Sequence, residues 1–409
     1  MSGEGTDTAT NAGPATPRHG TPRPAPRATV RPPALPMRRR AAGPLLAIVL
    51  ISIGLAVLDA SGQAFWQGLA INLGMFIILT VSLNLTSGFT GVFSLGQIGF
   101  MALGAYASAI LTLPLAEKAA YLPNLPSWLA GVHLDQVAGP VPVGFLAATL
   151  IAATLVSGLA WLVGRVLMRL SGHFVAVATL GFLVIVRVVL FNADAFTRGS
   201  RTFSNVTPYT DLWWTAGWAL VVVYVVWRIK RSPWGRDMFA QRDDRVAAQA
   251  IGIRVMDPRL LAFVVGAFFS AVAGSLYAHF ITSFSPTVFY FDLTFRVITM
   301  LVLGGMGSVS GSILGATFIV GLSEGLRRVE DATLLYGLSA IVLAVIFIIV
   351  ITVRREGFLG QREVPLDRLF DPSFWRRRSP PPEDPAEPVP TEPVVASPGA
   401  AAAPADQSE

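Results

Sequence analysis

Apolar residues along this chain are gathered into long blocks separated by polar segments. The blocks at 45–58 and 338–353 contain no charged side chain. Because a helix crosses the hydrocarbon core of a bilayer with about 20 apolar residues, the pattern predicts about ten membrane spans. They lie at 43–60, 66–86, 97–115, 141–167, 173–192, 212–229, 259–280, 291–305, 311–326 and 334–353. The eighth and ninth are short, so one of them can be re-entrant, and eight or nine spans stay open.

Composition supports the same fold class. Of 409 residues, 53% are apolar and only 14% are charged, whereas a soluble protein carries about 25% charged residues. This balance excludes a water-soluble enzyme and predicts an all-α polytopic membrane protein. The chain has no cysteine, and its four histidines are far apart in sequence. Disulfides and thiolate sites are thereby excluded, and no metal or cofactor is expected.

Two polar tails flank the apolar region. Residues 1–42 hold seven arginines against Glu4 and Asp7 in a background of proline, threonine and alanine. Residues 354–409 form a second tail, which is rich in proline, alanine and glutamate from about 380. Both compositions are typical of disorder, and the domain between them is 43–353. The arginines next to the first span are expected to touch anionic lipid headgroups rather than nucleic acid.

The distribution of basic residues predicts the orientation. Eight basic residues lie in the loop 228–259, whereas the loops 116–140 and 193–211 together hold three. Short loops rich in lysine and arginine stay in the cytoplasm. With ten spans, this rule places both termini and the 228–259 loop inside the cell. Arg327 and Arg328 are the exception, because they fall outside beside two acidic residues.

The chain carries no phosphate-binding loop of its own. Such a loop ends in Gly-Lys followed by Ser or Thr, and the two lysines, Lys118 and Lys230, follow Glu117 and Ile229. This polypeptide is therefore not expected to hydrolyse ATP in that way. The acidic residues of the spans lie near their ends, at Asp59, Asp292 and Glu324. Ion-coupled transport is thus poorly supported.

The cytoplasmic loop contains a predicted short amphipathic helix. The stretch 235–251 alternates apolar and charged positions and is followed by Gly252, a residue typical of helix ends. The pattern leaves two interpretations open. The helix either lies on the lipid surface or inserts into a partner subunit.

Motifs in this loop and elsewhere resemble a known family. Val246-Ala247-Ala248 followed by Gly252 resembles the E-A-A-x-x-x-G coupling motif of ABC importer permeases, with Val246 in place of the usual glutamate. The order of further motifs over about residues 45 to 350 resembles the branched-chain amino acid ABC transporter permeases, larger M-type subunit. These motifs are Asn84-Leu85, Gly88, Gly91, Ser94-Leu95-Gly96, Thr179-Leu180-Gly181, Arg187, Gly235-Arg236, Arg242, Gly252-Ile253 and Gly304-Gly305-Met306-Gly307-Ser308.

The resemblance implies a membrane-spanning permease subunit of an ATP-driven importer for branched-chain amino acids in the bacterial inner membrane. The implied partners are separate ABC ATPase subunits, a second permease subunit and an extracytoplasmic solute-binding protein. The ATPases would dock on the coupling loop 230–258, and the candidate residues there are Gly235, Arg236, Arg242, Ala247, Ala248 and Gly252. Such a chain is a transport subunit and not an enzyme. Cargo such as urea or short amides stays open, as does a passive channel for small polar solutes.

Two glycine-rich segments interrupt the apolar blocks at 88–96 and 304–311. Glycine frees the backbone for non-helical conformations, and transporters use interrupted helices to expose backbone groups to a substrate. The candidates for the translocation path are Gly88, Gly91, Ser94, Gly96, Gly304, Gly305 and Gly307. The alternative is that these glycines permit close helix packing or ordinary turns. Arg187 and Arg296, within apolar stretches, are expected to be paired structurally.

Overall fold

The computed structural model describes residues 52–123, 125–134, 143–170, 172–334, 337–353 and 357–363. The N-terminal tail 1–42 and the chain after 363 lie outside these ranges, and with them most of the two predicted disordered tails. The first predicted span, 43–60, is described only from residue 52, and residues 52–60 are helical.

The longer helices in the described chain follow the predicted blocks. We label them α1 to α11. They are α1 Ala64–Leu83, continued by a π-helical turn Asn84–Phe89, then α2 Gln97–Thr112, α3 Val143–Leu167, α4 His173–Asn192, α5 Leu212–Arg231, α6 Pro233–Asp243, α7 Arg245–Ala250, α8 Met256–Ile281, α9 Phe291–Gly304, α10 Val309–Thr333 and α11 Leu338–Val353. Shorter helices lie at Leu115–Tyr121, Ser127–Ala130 and Asp194–Thr197.

Six of the helices in the described ranges are long and apolar enough to cross a membrane. They are α1 with its π-helical turn, α3, α4, α5, α8 and α10. The helix α2 and residues 338–350 of α11 are apolar but shorter. The chain is thus an all-α polytopic membrane protein.

The eighth and ninth predicted spans differ in length. The eighth, predicted as a short span at 291–305, is α9, whose 14 residues rise only about 21 Å, less than the roughly 30 Å of a hydrocarbon core; its predicted shortness is confirmed. The ninth, predicted to be short, is the 25-residue α10. Its last turns are polar and contain the pair Glu324 and Arg327. The apolar pattern therefore ends near residue 326, before the helix ends at Thr333.

The centre of the molecule is the packing of α2, α3 and α8. At the crossing of α2 and α8, the backbone of Ala271 occupies the space that a side chain on Gly104 would need. Gly274 lies in the same way against the carbonyl of Met101. Buried polar groups join the same helices, since Gln97 Nε2 donates to the carbonyl of Gly266 at 2.8 Å. Small residues that let backbones approach are typical of helix pairs in membranes.

The contacts define two ends of the helix bundle. At one end, which we call the coupling end, Thr86 Oγ1 donates to the carbonyl of Ala262 in the second turn of α8. At the opposite end, Thr210 Oγ1 donates to the carbonyl of Leu276 near the last turns of α8. The guanidinium of Arg328 lies there over the ring of Phe65 at 4.2 Å. The long helices therefore run alternately between the two ends.

Candidate functional site

The helix α6 lies at the coupling end and is fixed by its own first turn. Ser232 caps it by accepting a hydrogen bond from the amide of Gly235, and Pro233 occupies the first turn, where no amide partner is needed. Gly235 itself is buried against the carbonyls of α5, so a side chain there has no space. Met238 is fully buried, and the ring of Phe239 lies 5.1 Å from that of Phe89. One face of α6 is thus packed into the protein.

The predicted single helix 235–251 is two helices, and this corrects the sequence prediction. Asp244 has an extended backbone, and its Oδ1 accepts from the amides of Val246 at 2.8 Å and Ala247 at 3.0 Å. A carboxylate in that position caps a new helix, so α6 ends and α7 begins there. Gly252 then ends α7 with a φ of 87°, which favours glycine.

The six candidate coupling residues divide by burial. Arg236, Ala247 and Gly252 are exposed, whereas Gly235 and Ala248 are buried and Arg242 is half-buried. The most exposed apolar side chains of this region are Val246 at 75% and Ile251 at 77%, and both belong to the α7 turn. Exposed apolar groups beside charged ones are typical of a surface that binds another protein.

Arg242 connects the coupling helices with both glycine-rich breaks. Its Nη1 donates to the carbonyl of Gly88 at 2.6 Å. Its Cγ lies 2.9 Å from the position that a Cβ on Gly91 would occupy. Its Nη1 lies 2.7 Å from the corresponding Cβ position of Gly307. Gly91 and Gly307 also have φ values of 70° and 97°. Glycine is therefore required at both positions for this arginine to fit.

The two breaks also contact each other directly through Asn84, in the π-helical turn. Its Nδ2 donates to the carbonyl of Ser308 and to Ser312 Oγ, both at 2.8 Å, and its Oδ1 accepts from the amide of Gly307 at 2.8 Å. A Cβ on Gly88 would lie 2.7 Å from the same amide. The two segments, predicted as separate parts of a path, form one junction at the coupling end, which we call the glycine junction.

Glu363, beyond the last helix, completes this junction. Its carboxylate accepts from the amides of Val309 and Ser310 at 2.8 and 3.0 Å, in the first turn of α10. It also pairs with Lys230 Nζ at 2.5 Å, and Lys230 donates to the carbonyl of Gly307 at 2.6 Å. Burial opposes ionisation of Glu363, but the bonds from Lys230, Ser310 and Val309 prevail and hold its pKa below the usual range.

Sequence reasoning missed three residues of the glycine junction. Asn84 was noted only as part of a family motif, while Lys230 and Glu363 were given no role. Glu363 lies 53 residues from Ser310 along the chain, and no local spacing relates the two. The segment before it docks through the amide of Phe358, which donates to the carbonyl of Leu303 at 2.8 Å. Only the folded chain brings these groups together.

The remaining candidate path residues have different surroundings. Gly304 faces the backbone of Gly311 without space for a side chain, which favours the close-packing interpretation there. Gly305 has a φ of 111° and ends α9. A Cβ on Gly96 would lie 3.0 Å from the carbonyl oxygen of Thr179, so Gly96 packs closely against α4. The hydroxyl of Ser94 is buried, and no residue of the described ranges bonds it.

The two arginines within apolar stretches have partners in the described chain. The guanidinium of Arg187 lies 3.8 Å from the centre of the Tyr290 ring. Arg296 lies 3.6 Å from the carboxylate of Asp292, one turn earlier on α9. Both contacts are structural, as expected for charged groups in membrane helices.

Several known transport permeases are similar to this chain in sequence. The LivM permease protein of the high-affinity branched-chain amino acid transport system of Escherichia coli (strain K12) is 30% identical over 295 residues, which cover 64% of this chain and 63% of that protein. The Salmonella typhimurium (strain LT2) LivM is 28% identical over 326 residues, covering 71% and 70%. The ribose import permease protein RbsC of Haemophilus influenzae is 26% identical over 265 residues, covering 58% and 80%. No solved structure matches the chain.

A family model also matches most of the chain. The chain aligns with a little under two thirds of the length of the Escherichia coli relative. The model described as branched-chain amino acid transport system, permease component, matches residues 67–351. This range begins in the first turn of α1, includes α2 to α10, both glycine-rich breaks and the coupling helices, and reaches into α11. The chain therefore belongs to the family of permease components of branched-chain amino acid transport systems.

Proposed function

We propose that this chain is the membrane-spanning permease subunit of an ATP-driven ABC importer for branched-chain amino acids. Family membership supports the transport role, and the LivM relatives support the cargo over urea or short amides. The observation that carries the proposal is the bond of Arg242 on α6 to the glycine junction. It gives a surface-exposed pair of helices a direct connection to the two turns that join α1 to α2 and α9 to α10.

The connection suggests how a movement of the ATPase would reach the membrane helices. An ATPase subunit bound to α7 would also move α6, because the two helices join directly at Asp244. Arg242 would carry this movement to the carbonyl of Gly88 at the end of α1. Asn84 would pass it on to the first turn of α10. The helices on either side of these turns can change direction at low cost, because the glycine-rich backbone between them is not held in a continuous helical ladder.

The proposed assembly has the partners implied by the family. Separate ABC ATPase subunits would dock on 230–258, a second permease subunit would complete the path, and an extracytoplasmic solute-binding protein would deliver the cargo. The protein would lie in the bacterial inner membrane with both termini in the cytoplasm. The transmembrane domain would span 43–353, with cytoplasmic tails on either side. Gly88, Gly91, Ser94, Gly96, Gly304, Gly305 and Gly307 would act at the inner end of the path.

Exposed charge on α9 supports a protein partner along that helix. Asp292 is 90% exposed and Arg296 41% exposed in their side chains, one turn apart. The pair lies in the first two turns of α9, and charged residues of membrane helices usually face protein, a water-filled cavity or the membrane interface. We place the second permease subunit or the path itself against this face of α9.

The test is to charge the exposed apolar residues of α7. Val246→Arg with Ile251→Arg is expected to abolish uptake of leucine and co-purification of the ATPase, because both side chains would lose their apolar contacts in the partner. The variant should still insert in the membrane, since both positions are exposed. Ala248→Arg is a weaker test, because Ala248 is only 2% exposed and the variant would disturb folding.

Val329→Arg is the matched control for this experiment. Val329 is 46% exposed and lies on α10 towards the opposite end. ATPase co-purification should be unchanged in this variant. Normal uptake and normal co-purification in the α7 double variant would contradict docking at α7.

A further inference from the structure

An open cleft at the coupling end is lined by arginines and takes no part in the glycine junction. Its volume is about 380 Å³, and it lies between the end of α3, α7 and the start of α8. Arg169, Arg245 and Arg254 supply the charge. The buried side chains of Met168 and Val255 form part of its wall. No acidic side chain of the described ranges lines it.

The positive charge of this cleft is not neutralised within the described chain. None of the three arginines forms a salt bridge with a residue of those ranges. Arg245 is also near enough to the largely buried Arg259 for the two positive charges to repel each other. Several guanidinium groups that face one space without an acidic partner are a site for an anion, and phosphate suits their hydrogen-bonding geometry.

The end of α3 beside the cleft carries residues typical of the lipid headgroup level. The guanidinium of Arg165 lies 3.6 Å from the centre of the Trp161 ring. Tryptophan and arginine near the end of a membrane helix are typical of the interface between hydrocarbon and water. Arg169 follows four residues later, two residues beyond the end of α3, which is the position expected for the headgroup region.

The helix α3, which ends at the cleft, carries exposed apolar side chains on its last turns. Leu162 and Val166 are 61% and 68% exposed, and Val166 precedes Arg169 by three residues. Phe174, at the start of α4 and five residues after Arg169, is 74% exposed. Exposed apolar side chains of this kind are what acyl chains contact.

We propose that this cleft binds the phosphate of an anionic phospholipid, with the acyl chains lying along α3 and the start of α4. Free inorganic phosphate has the same anionic chemistry, but it makes no use of the apolar surface. The site depends on the chain being embedded in a membrane and is independent of the cargo. Because Arg245 begins α7, a bound lipid would also hold the coupling helices against the bilayer.

Native mass spectrometry of the full-length protein tests the proposal. The protein is released from nanodiscs that contain equal amounts of phosphatidylglycerol and phosphatidylcholine, and the retained lipids are counted. The wild type is expected to retain phosphatidylglycerol in preference. Arg169→Gln and Arg254→Gln should each reduce that preference about fivefold, since each removes one guanidinium that lines the cleft and with it a charge-assisted bond to the phosphate. The double variant should show both reductions.

Arg228→Gln is the control, because Arg228 is exposed at the same end but does not line the cleft. It removes the same charge and should leave the preference unchanged. Equal retention of phosphatidylglycerol by the wild type and the double variant would overturn the proposal. So would tight binding of inorganic phosphate to the lipid-free wild type that the same substitutions abolish, because the cleft would then serve a soluble anion.

Discussion

At the scale of single residues, the coupling end depends on polar side chains whose partners are backbone groups. Asn84, Arg242 and Glu363 each bond a carbonyl or an amide at a point where a helix ends. Backbone groups at helix ends have no partner within the helix. The side chains replace those partners, so they fix the direction of the helices as well as their ends.

The contribution of Glu363 is testable through stability and its pH dependence. Glu363→Gln should lower the free energy of unfolding by about 2 kcal/mol at neutral pH, because a charged helix cap and a charge-assisted bond to Lys230 are lost. The pKa of Glu363 is held below its usual range, so this stabilisation is present above the pKa of an unfolded glutamate, about 4.3. It is lost as the pH falls through the lower folded value.

Thermal unfolding in detergent, followed by tryptophan fluorescence, measures this difference across pH. The melting temperatures of the wild type and Glu363→Gln should differ at neutral pH and converge in acid. Asp292→Asn is the control, since that carboxylate is 90% exposed and an exposed ion pair contributes little. A gap between wild type and Glu363→Gln that persists unchanged in acid would show that the carboxylate does not act through its charge.

At the scale of elements, the packing of α2 against α8 is set by glycines. Gly104 and Gly274 remove the side chains at the two points where the backbones approach most closely. Without a hydrophobic driving force between helices in lipid, close van der Waals packing supplies much of the association energy. The position of α2, a helix of 16 residues, therefore depends on glycine at these points.

Gly104→Ala should reduce the yield of folded protein and lower the melting temperature, because the added Cβ overlaps the backbone of Ala271. Overpacking of this kind costs about 1–3 kcal/mol. Gly158→Ala is the matched control on α3, where no atom lies within 4 Å of the added Cβ. Its melting temperature should stay equal or rise slightly. Similar losses in both variants would show that helix flexibility, and not the crossing, is the cause.

At the scale of the whole molecule, the alternation of helices puts chain segments on two opposite ends. The coupling helices α6 and α7, the glycine junction and Glu363 share one end. The paired segments around Phe203 and Phe284 lie at the other. Arg327 and Arg328, the exception to the charge rule, have local partners there, namely Glu324 at 2.6 Å and the Phe65 ring. Neutralised or ring-bound arginines have a weaker influence on orientation.

Labelling of single cysteines can determine which end faces the cytoplasm. The chain has no native cysteine, so each introduced thiol is the only one. In intact spheroplasts, a membrane-impermeant maleimide should label Thr202→Cys, which is exposed at the opposite end, and should not label Gln249→Cys on α7. Permeabilisation should expose both. The reverse pattern would contradict a cytoplasmic coupling end.

The sequence by itself determined the fold class and the helix positions, because long apolar blocks are stable only as membrane helices. It also located both glycine-rich segments and the basic loop that carries α6 and α7. The length of α10 was less certain, since its polar last turns end the apolar pattern before they end the helix.

Only the tertiary structure decided that the two breaks form one junction, that Arg242 enters it and that Glu363 closes it. These contacts join residues up to 228 positions apart in the chain. A hydrogen bond between such distant residues produces no regular spacing of residue types from which the sequence could predict it. The arginine cleft is likewise assembled from α3, α7 and the start of α8. The physical reason is the same in each case: side-chain chemistry is local to a residue, whereas its partner is chosen by how the helices pack.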